Sequence, residues 1–231
     1  MNKHPAAVTP EAQTSDYVDE WWMLRHQAKL DEVKSRRDDI DLLMIGDSIT
    51  QGWEDEENKA VWQEYFELRN ALNLGFSGDR TEQVLWRVQN GAIDGLLPKV
   101  TVLLIGTNNT GHRQDPAQDT AAGIQVILQE LRTRLPKTAI VLLAVFPCGE
   151  STTDPSRLLN ANINNIIANY ADGRDVHFLD IGHRFVHDSG QLRTDLMPDL
   201  LHLSPAGYKI WAECMVPTLD ALQAEDRSRQ S

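Results

Sequence analysis

The chain has 231 residues, and its 34 acidic side chains outnumber its 22 basic ones, which leaves a formal net charge of −12. This acidic balance argues against nucleic acid or an anionic membrane surface as a partner, because binding to phosphate groups requires a basic footprint. A hydrophobic content of 41% with 24% charged residues excludes fibrous and disordered classes, and no apolar run reaches the length of a membrane-spanning helix.

The first predicted element is an amphipathic segment over residues 15–37, which we interpret as a leading helix. Several of the apolar runs that follow are continuous and rich in β-branched residues, which is typical of strands covered on both faces. Longer amphipathic segments separate these runs and predict helices. The runs that predict strands are residues 42–45, 71–74, 100–105, 139–146 and 176–181.

Four helix starts are predicted in the segments between and after these runs. Asp115, Asp154 and Ser204 each precede a proline and are expected to cap helices that begin with that proline. Asp79, followed by Glu82 three residues later, resembles a capping box.

The alternation of strands and helices predicts the fold class. Right-handed crossovers between successive strands give a three-layer α/β/α sandwich whose five-stranded, mostly parallel sheet is doubly wound. The sequence contains no repeat, internal linker or low-complexity tract, so we expect a single α/β domain over residues 1–231 with a core at about 39–219. The polar stretches up to about Pro10 and after Ala224 are expected to be frayed.

Candidate functional residues follow three of the predicted strands, at the edge of the sheet where ligands of such folds bind. Ser48 in GDSITQGW is either part of a reactive site or, with Asp47, a helix cap. Gly75 in NLGFSGD is either a turn glycine or a point where a backbone amide approaches a ligand. Asn108 in IGTNN either caps a turn or aims its side-chain amide at an oxyanion.

A carboxylate and an imidazole lie three residues apart near the C-terminus, in DLLHLS. If Asp199 and His202 share one loop turn, the carboxylate fixes the imidazole tautomer and leaves the other ring nitrogen free to act as a base. An exposed segment before a helix can carry the same spacing. The combination of this pair with Ser48 and two candidate oxyanion donors indicates nucleophilic catalysis more strongly than any one of these features.

The four blocks GDSITQGW, NLGFSGD, IGTNN and DLLHLS together resemble the SGNH, or GDSL, serine hydrolase family, from about residue 39 to residue 219. The segments GDRTEQVLWRVQNG and FVHDSG resemble the platelet-activating-factor acetylhydrolase catalytic subunits of that family. The resemblance implies a flavodoxin-like fold, with Ser48 as nucleophile, His202 as base and Asp199 as the orienting acid. It also implies an oxyanion hole formed by the backbone amides of Ser48 and Gly75 and by the Asn108 side chain.

The resemblance further implies an activity. We expect a serine esterase that hydrolyses short-chain, acetyl-type esters of a phospholipid-like or a carbohydrate alcohol through an acyl-serine intermediate, without a metal or cofactor. The alternatives are a longer-chain lysophospholipase or thioesterase-type acyl hydrolase and a non-catalytic scaffold subunit. The expected partners are a small-molecule ester and, from the resemblance, a second copy in a homodimer. No basic-then-apolar leader pattern is present, which leaves a cytoplasmic protein or an exported one whose leader is absent from this sequence.

Several further residues have open interpretations. Trp53 either lines the mouth of the site or packs between helix and sheet. His112 either contacts substrate or is simply exposed, and Glu150 has no assigned role. Cys148 and Cys214 match no zinc or redox spacing and are expected to be buried free thiols.

Two other patterns are weak indications of metal binding. His183 and His187 lie four residues apart, but no glutamate follows the first histidine as the H-E-x-x-H motif requires. The acidic run at residues 54–57 lacks a calcium-loop pattern and is expected to be a solvated helix start. We expect a metal at neither place.

Overall fold

The computed structural model describes residues 5–13 and 20–230, without the side chains of residues 225–230. The strands are β1 (Leu42–Gly46), β2 (Ala71–Gly75), β3 (Val100–Leu104), β4 (Ala139–Leu143) and β5 (Val176–Leu179). The α-helices are α1 (Trp21–Arg36), α2 (Ser48–Gln51), α3 (Lys59–Tyr65), α4 (Thr81–Gln89), α5 (Thr107–Arg113), α6 (Ala117–Arg134), α7 (Pro155–Ile167) and α8 (Pro205–Gln230).

The five strands form one sheet in the order β2-β1-β3-β4-β5, and every neighbouring pair is parallel. The predicted α/β class and the five strand positions are therefore confirmed. The predicted strands at 100–105, 139–146 and 176–181 extend one to three residues beyond the observed ends. Apart from the exposed Asp180, these extra residues are apolar because they are buried in loops at the carboxyl edge, as Ile105 and Phe146 are, and not because they pair in the sheet.

Each face of the sheet is covered by helices. On one face α4, α6 and α7 pack on the strands, and on the other face α3 and α8 do so. Trp53 lies in the second layer with 1% of its surface exposed, and its ring centroid is 4.5 Å from that of Tyr208 and 5.0 Å from that of Trp211. Trp53 is thus a packing residue and does not line the mouth of a site.

Two of the predicted helix starts are confirmed. Asp154 caps α7, because its Oδ1 accepts a hydrogen bond from Ser156 N at 2.9 Å while Pro155 occupies the first helical position. Ser204 precedes α8, and its Oγ accepts a hydrogen bond from Gly207 N at 3.3 Å. Both caps satisfy amide groups that have no acceptor within the helix.

The predicted start of α6 is wrong by one residue. The helix begins at Ala117, and Pro116 is the capping position without a side-chain hydrogen bond. The Asp115 carboxylate is instead 2.6 Å from Nη2 of Arg113. A nearby guanidinium is a stronger partner for a carboxylate than a backbone amide is, so the acid turns away from the helix.

The predicted capping box at Asp79 and Glu82 is also wrong. The N-cap of α4 is Arg80, whose backbone N–H donates to Oε1 of Gln83 at 3.0 Å. Asp79 is fully buried and pairs with an arginine from the same helix. This burial decides its role and could not be read from local spacing.

The described part of the N-terminal stretch is docked against helices α4 and α6 and is not frayed. Residues 6–8 form a 3₁₀ turn, and the carbonyl of Ala7 accepts a hydrogen bond from Thr81 Oγ1 at 2.9 Å. At the other end α8 continues to Gln230, so the predicted frayed tail is helical. Of the predicted helix at 15–37, residues 15–19 lie outside the described residues. Along the part of the chain that the structure describes, no helix combines the length and apolar character needed to cross a membrane.

Candidate active site

Ser48 lies at the carboxyl edge of the sheet, where β1 ends and the short helix α2 begins. Asp47 is the cap of this helix, because its Oδ1 accepts a hydrogen bond from Ile49 N at 3.0 Å. The alternative in which Ser48 serves as a cap is therefore excluded. Ser48 is half-buried, and its hydroxyl is available for another partner.

His202 connects Ser48 to Asp199. Its Nε2 is 2.9 Å from Ser48 Oγ, and its Nδ1 is 2.6 Å from Asp199 Oδ2. Because an ionised carboxylate only accepts hydrogen bonds, Nδ1 carries a proton toward Asp199 and Nε2 is left to accept one from Ser48. Three residues spread over 154 positions of sequence thus form a serine–histidine–aspartate relay.

Asp199 is held in place by its own loop. Its Oδ1 accepts hydrogen bonds from His202 N at 2.7 Å and from Leu201 N at 3.0 Å. Partial burial by itself raises the pKa of Asp199, but the hydrogen bonds from the His202 ring, His202 N and Leu201 N outweigh it and hold the pKa below its ordinary value. Asp199 is therefore ionised at neutral pH, as an acid that orients an imidazole must be.

Between the acid and the histidine, the chain adopts a strained conformation. Leu200 has a φ of +65°, in the left-handed region that residues with a β-carbon disfavour. Its carbonyl accepts a hydrogen bond from Gly149 N at 3.0 Å. The loop after β4 thus helps to hold the turn that places Asp199 and His202 together.

Two of the three expected oxyanion donors are available in the structure. Ser48 N is the first amide of α2 and has no acceptor within that helix. Asn108 is 94% buried on α5, and its Nδ2 donates one of its two hydrogens to the carbonyl of Asp79 at 2.9 Å. The second N–H of this amide is not used by that bond. Both groups therefore retain a donor for an oxyanion.

The expectation for Gly75 is wrong. Its N–H already donates to Oδ1 of Asn73 at 2.7 Å, so it is not available to an oxyanion. A β-carbon at Gly75 would lie 2.2 Å from Gln51 N, which gives the physical reason for glycine here: the end of β2 packs directly on the backbone of α2.

Gly78, which sequence reasoning missed, offers the better backbone donor. It lies in a turn closed by the hydrogen bond from Asp79 N to Phe76 O at 3.1 Å, and its φ is +77°. The Ser77 carbonyl accepts from Gln13 Nε2 at 3.3 Å on one side of the turn. Since C=O and N–H of a trans peptide point in opposite directions, the Gly78 N–H points away from Gln13, and it has no acceptor among the described residues. A glycine at the third position of a turn directly after a strand was the signal that could have indicated it.

A cleft of about 500 Å³ opens beside Ser48. Most of its lining residues have polar side chains, and three of them, Asp55, Glu57 and Asp199, are exposed acids. Its lining residues are Ser48, Gln51, Gly52, Asp55, Glu57, Ser77, Pro198, Asp199, His202, Leu203 and Tyr208. These carboxylates disfavour a negatively charged ligand in the cleft.

The remaining candidates lie outside this cleft. His112 is exposed in the last turn of α5, and Glu150 is exposed in the loop after β4.

Cys148 is a buried free thiol whose pKa is raised to about 11 by burial, so it remains protonated, whereas Cys214 is only half-buried, contrary to expectation. Within residues 5–13 and 20–224, no three His, Cys, Asp or Glu side chains come together as a metal site. In the acidic run, Glu54 is held by Arg25 and Lys29 at 2.8 Å each, and the next residues are exposed.

Comparison with known proteins identifies the family. A profile of the GDSL-like lipase/acylhydrolase family matches residues 44–210, which include the whole relay. The chain belongs to this family. Among curated GDSL-family relatives, the platelet-activating factor acetylhydrolase IB subunit alpha2 of Rattus norvegicus is 36% identical over 208 residues, which cover 90% of this chain and 86% of the relative.

Solved structures of the GDSL family share the fold. A GDSL-like lipase from Bacteroides thetaiotaomicron superposes with a TM-score of 0.68 at 20% identity, over 87% of this chain and 97% of the other. An acetylxylan esterase from Geobacillus stearothermophilus superposes with a TM-score of 0.61 at 20% identity, over 76% of this chain and 92% of the other. At this identity the likeness concerns the fold alone, and it agrees with the predicted SGNH architecture.

Proposed function

We propose that this GDSL-family chain is a serine esterase that hydrolyses short-chain, acetyl-type esters through an acyl-Ser48 intermediate. The observation that carries the proposal is the relay in which His202 lies 2.9 Å from Ser48 Oγ and 2.6 Å from Asp199 Oδ2. A serine hydroxyl is a weak nucleophile until a base within this distance removes its proton.

In the proposed reaction, Ser48 Oγ attacks the ester carbonyl carbon while His202 Nε2 takes the hydroxyl proton. The carbonyl oxygen becomes an oxyanion that accepts hydrogen bonds from Ser48 N, Gly78 N and Asn108 Nδ2. The carbon–oxygen bond to the alcohol then breaks, and the alcohol leaves with the proton from His202. A water molecule, deprotonated by the same nitrogen, attacks the acyl group; Ser48 regains its proton and the carboxylic acid is released.

The character of the cleft supports a short acyl group. A long acyl chain needs a continuous apolar channel, whereas here polar side chains interrupt the apolar surface of the walls, and Pro198 and Leu203 are the main apolar lining residues. The exposed acids Asp55 and Glu57 disfavour anionic substrates such as coenzyme A thioesters. A neutral or zwitterionic ester fits best. The alcohol is either phospholipid-like, as the name of the 36% identical relative suggests, or a carbohydrate, as for the acetylxylan esterase of the same fold.

The direct test is hydrolysis of p-nitrophenyl acetate by the wild type, by Ser48→Ala and by Ser35→Ala. Ser35 is an exposed serine of α1 and serves as the matched control. We expect Ser48→Ala to lose at least about 10³-fold in kcat, since the nucleophile is removed, and Ser35→Ala to be unchanged. Wild-type turnover by Ser48→Ala would contradict the proposal.

Two further measurements separate the alternatives. A ladder of p-nitrophenyl esters from acetyl to dodecanoyl should show kcat/KM falling with chain length, and a flat or rising series would favour the longer-chain hydrolase. Acetylated sugars and an acetylated phospholipid analogue then distinguish the two alcohols. Covalent labelling of Ser48 by a fluorophosphonate is expected for an assembled relay, and the absence of labelling would favour the non-catalytic scaffold.

We also propose, from the family resemblance, that the chain forms a homodimer. Size-exclusion chromatography with light scattering should give a mass twice the 26.0 kDa of one chain. A mass of 26.0 kDa at micromolar concentration would contradict this part of the proposal.

A further inference from the structure

A fully buried ion pair lies beneath the loops that carry the proposed oxyanion donors. Arg87 and Asp79 both have 0% of their surface exposed. Nε and Nη2 of Arg87 each lie 2.8 Å from Oδ2 of Asp79. The other carboxylate oxygen of Asp79 accepts a hydrogen bond from Trp22 Nε1 at 2.7 Å. The charges on both partners are thus satisfied within the protein.

Arg87 connects this pair to the strand that leads to the nucleophile. Its Nη2 donates to the carbonyl of Gly46 at 3.4 Å, and Gly46 is the last residue of β1, two positions before Ser48. The guanidinium carbon also lies 3.9 Å above the centroid of the Phe76 ring. Phe76 itself donates its N–H to the same Gly46 carbonyl at 3.0 Å. One arginine therefore joins the end of β1 to the turn that begins at Phe76.

Asp79 connects the pair to the other two proposed donors. Its N–H closes the turn that contains Gly78, and its carbonyl accepts the hydrogen bond from Asn108 Nδ2 at 2.9 Å. Each proposed donor therefore lies close to a group that the ion pair binds. Ser48 is two residues from Gly46 and Gly78 is two residues from Phe76, both of which Arg87 contacts. Asn108 binds Asp79 directly. Among the described residues, no other ion pair has both side chains exposed by 1% or less.

Stability alone gives little reason for such a pair. Burying two charges costs several kcal/mol of desolvation per ion, and replacement of a buried pair by uncharged residues of similar volume is often neutral or stabilising. The pair does, however, supply several hydrogen bonds of fixed length between separate loops. Oxyanion donors must be held to within about 0.5 Å of the productive geometry to act on a transition state.

We propose that Arg87 is a positioning residue, which through Asp79, Gly46 and Phe76 sets the distances between Ser48 and the oxyanion donors without touching the substrate. The inference rests on the function proposed above, because it concerns donors that matter only if Ser48 reacts. Loss of Arg87 should lower kcat, because the oxyanion forms in the steps that kcat reports, and should leave substrate binding almost unchanged.

The test is a double variant, Arg87→Met with Asp79→Asn, assayed with p-nitrophenyl acetate. The two substitutions remove both charges with little change of volume and keep an oxygen that can accept from Trp22 Nε1. We expect kcat to fall about 100-fold, the lower end of the loss for one oxyanion donor, and KM to change less than about threefold. The matched control is Arg36→Met, which removes an arginine that donates to Ala71 O at the opposite end of β2; its kcat and KM should equal those of the wild type.

The single variant Arg87→Lys supplies a second measurement should the double variant fail to fold. It keeps the buried charge but loses the planar fork that reaches both Asp79 and Gly46. We expect a loss in kcat of about tenfold with an unchanged KM, between the wild type and the double variant.

The possible results separate this inference from the proposed function. If the wild type hydrolyses the ester in a Ser48-dependent manner and both Arg87 variants keep kcat within about twofold, positioning by Arg87 is refuted while the esterase stands. The same holds if activity falls only in proportion to the folded fraction measured by circular dichroism, or if KM rises as much as kcat falls. If the wild type shows neither Ser48-dependent hydrolysis nor fluorophosphonate labelling of Ser48, both proposals are refuted.

Discussion

Asp199→Asn is the substitution that tests the proposed relay most specifically, because it changes one atom and its charge. Oδ1 of the new side chain can still accept from His202 N and Leu201 N, which now lie at 2.7 Å and 3.0 Å. The loop should therefore keep its shape. What is lost is the 2.6 Å contact to Nδ1, where an amide N–H now replaces a carboxylate oxygen. That N–H forces Nδ1 to accept, so the ring proton moves to Nε2 and the base can no longer take a proton from Ser48.

The size of the loss follows from the exposure of the pair. Where the acid is buried, the corresponding substitution lowers kcat about 10⁴-fold. Here 56% of the Asp199 side chain and 44% of the His202 side chain are exposed, so water can stabilise the productive tautomer part of the time. We therefore expect kcat to fall about 10²- to 10³-fold, equivalent to about 3–4 kcal/mol in the activation barrier.

The assay is steady-state hydrolysis of p-nitrophenyl acetate at pH 8, with Asp195→Asn as the matched control. Asp195 is an exposed acid of the same loop whose carboxylate binds Arg193 at 3.0 Å and not the relay. Its variant should retain wild-type kcat. A kcat for Asp199→Asn within about threefold of the wild type would refute the role of Asp199 as the orienting acid.

Three further outcomes are expected. Burial raises the pKa of Asp47 to about 7, so between about pH 4 and pH 7 the native state holds a proton there that the unfolded chain lacks. As pH rises through this window, the free energy of unfolding of the wild type, measured by urea titration, should fall relative to that of Asp47→Asn by up to about 1.4 kcal/mol per pH unit. A constant difference between the two proteins would contradict this. Gly75→Ala should destabilise the protein by at least about 2 kcal/mol, since its β-carbon would meet Gln51 N at 2.2 Å. The control Gly111→Ala, whose β-carbon meets nothing within 4 Å, should be neutral or stabilising in thermal melts. Equal melting temperatures of the two variants would refute the packing argument. Neutralising Asp55 and Glu57 should raise kcat/KM for an anionic ester, relative to that for its neutral counterpart, by about fivefold at low salt, since each charge some 8 Å away contributes about 0.5 kcal/mol. A ratio that is unchanged or grows with salt would count against an electrostatic role.

The sequence was sufficient for the fold class and for the relay. Continuous β-branched runs separated by amphipathic segments predict a parallel sheet, because only strands covered on both faces can be apolar throughout. In such a sheet the carboxyl ends of the strands share one edge, so Ser48 and the Asp199–His202 pair could be expected to meet although 154 residues separate Ser48 from His202. The fold class depends on periodicity, which a sequence contains in full, whereas the roles predicted for Ser48, Asp199 and His202 came from the resemblance to the GDSL family.

Other assignments depended on which atoms meet across the fold, and there the tertiary structure decided. Gly75 and Gly78 lie in one short segment, and the sequence analysis named only Gly75 as a donor. In the structure Asn73 Oδ1 occupies the N–H of Gly75 and leaves that of Gly78 free. Asp79 has the spacing of a helix cap, yet it is buried against Arg87, because a guanidinium in a site without water is a stronger partner than a backbone amide. The sequence by itself thus determined the architecture and predicted the proposed triad. Burial and competition for hydrogen-bond partners, which exist only once distant segments are packed together, decided which amides remain free to serve as the proposed oxyanion donors.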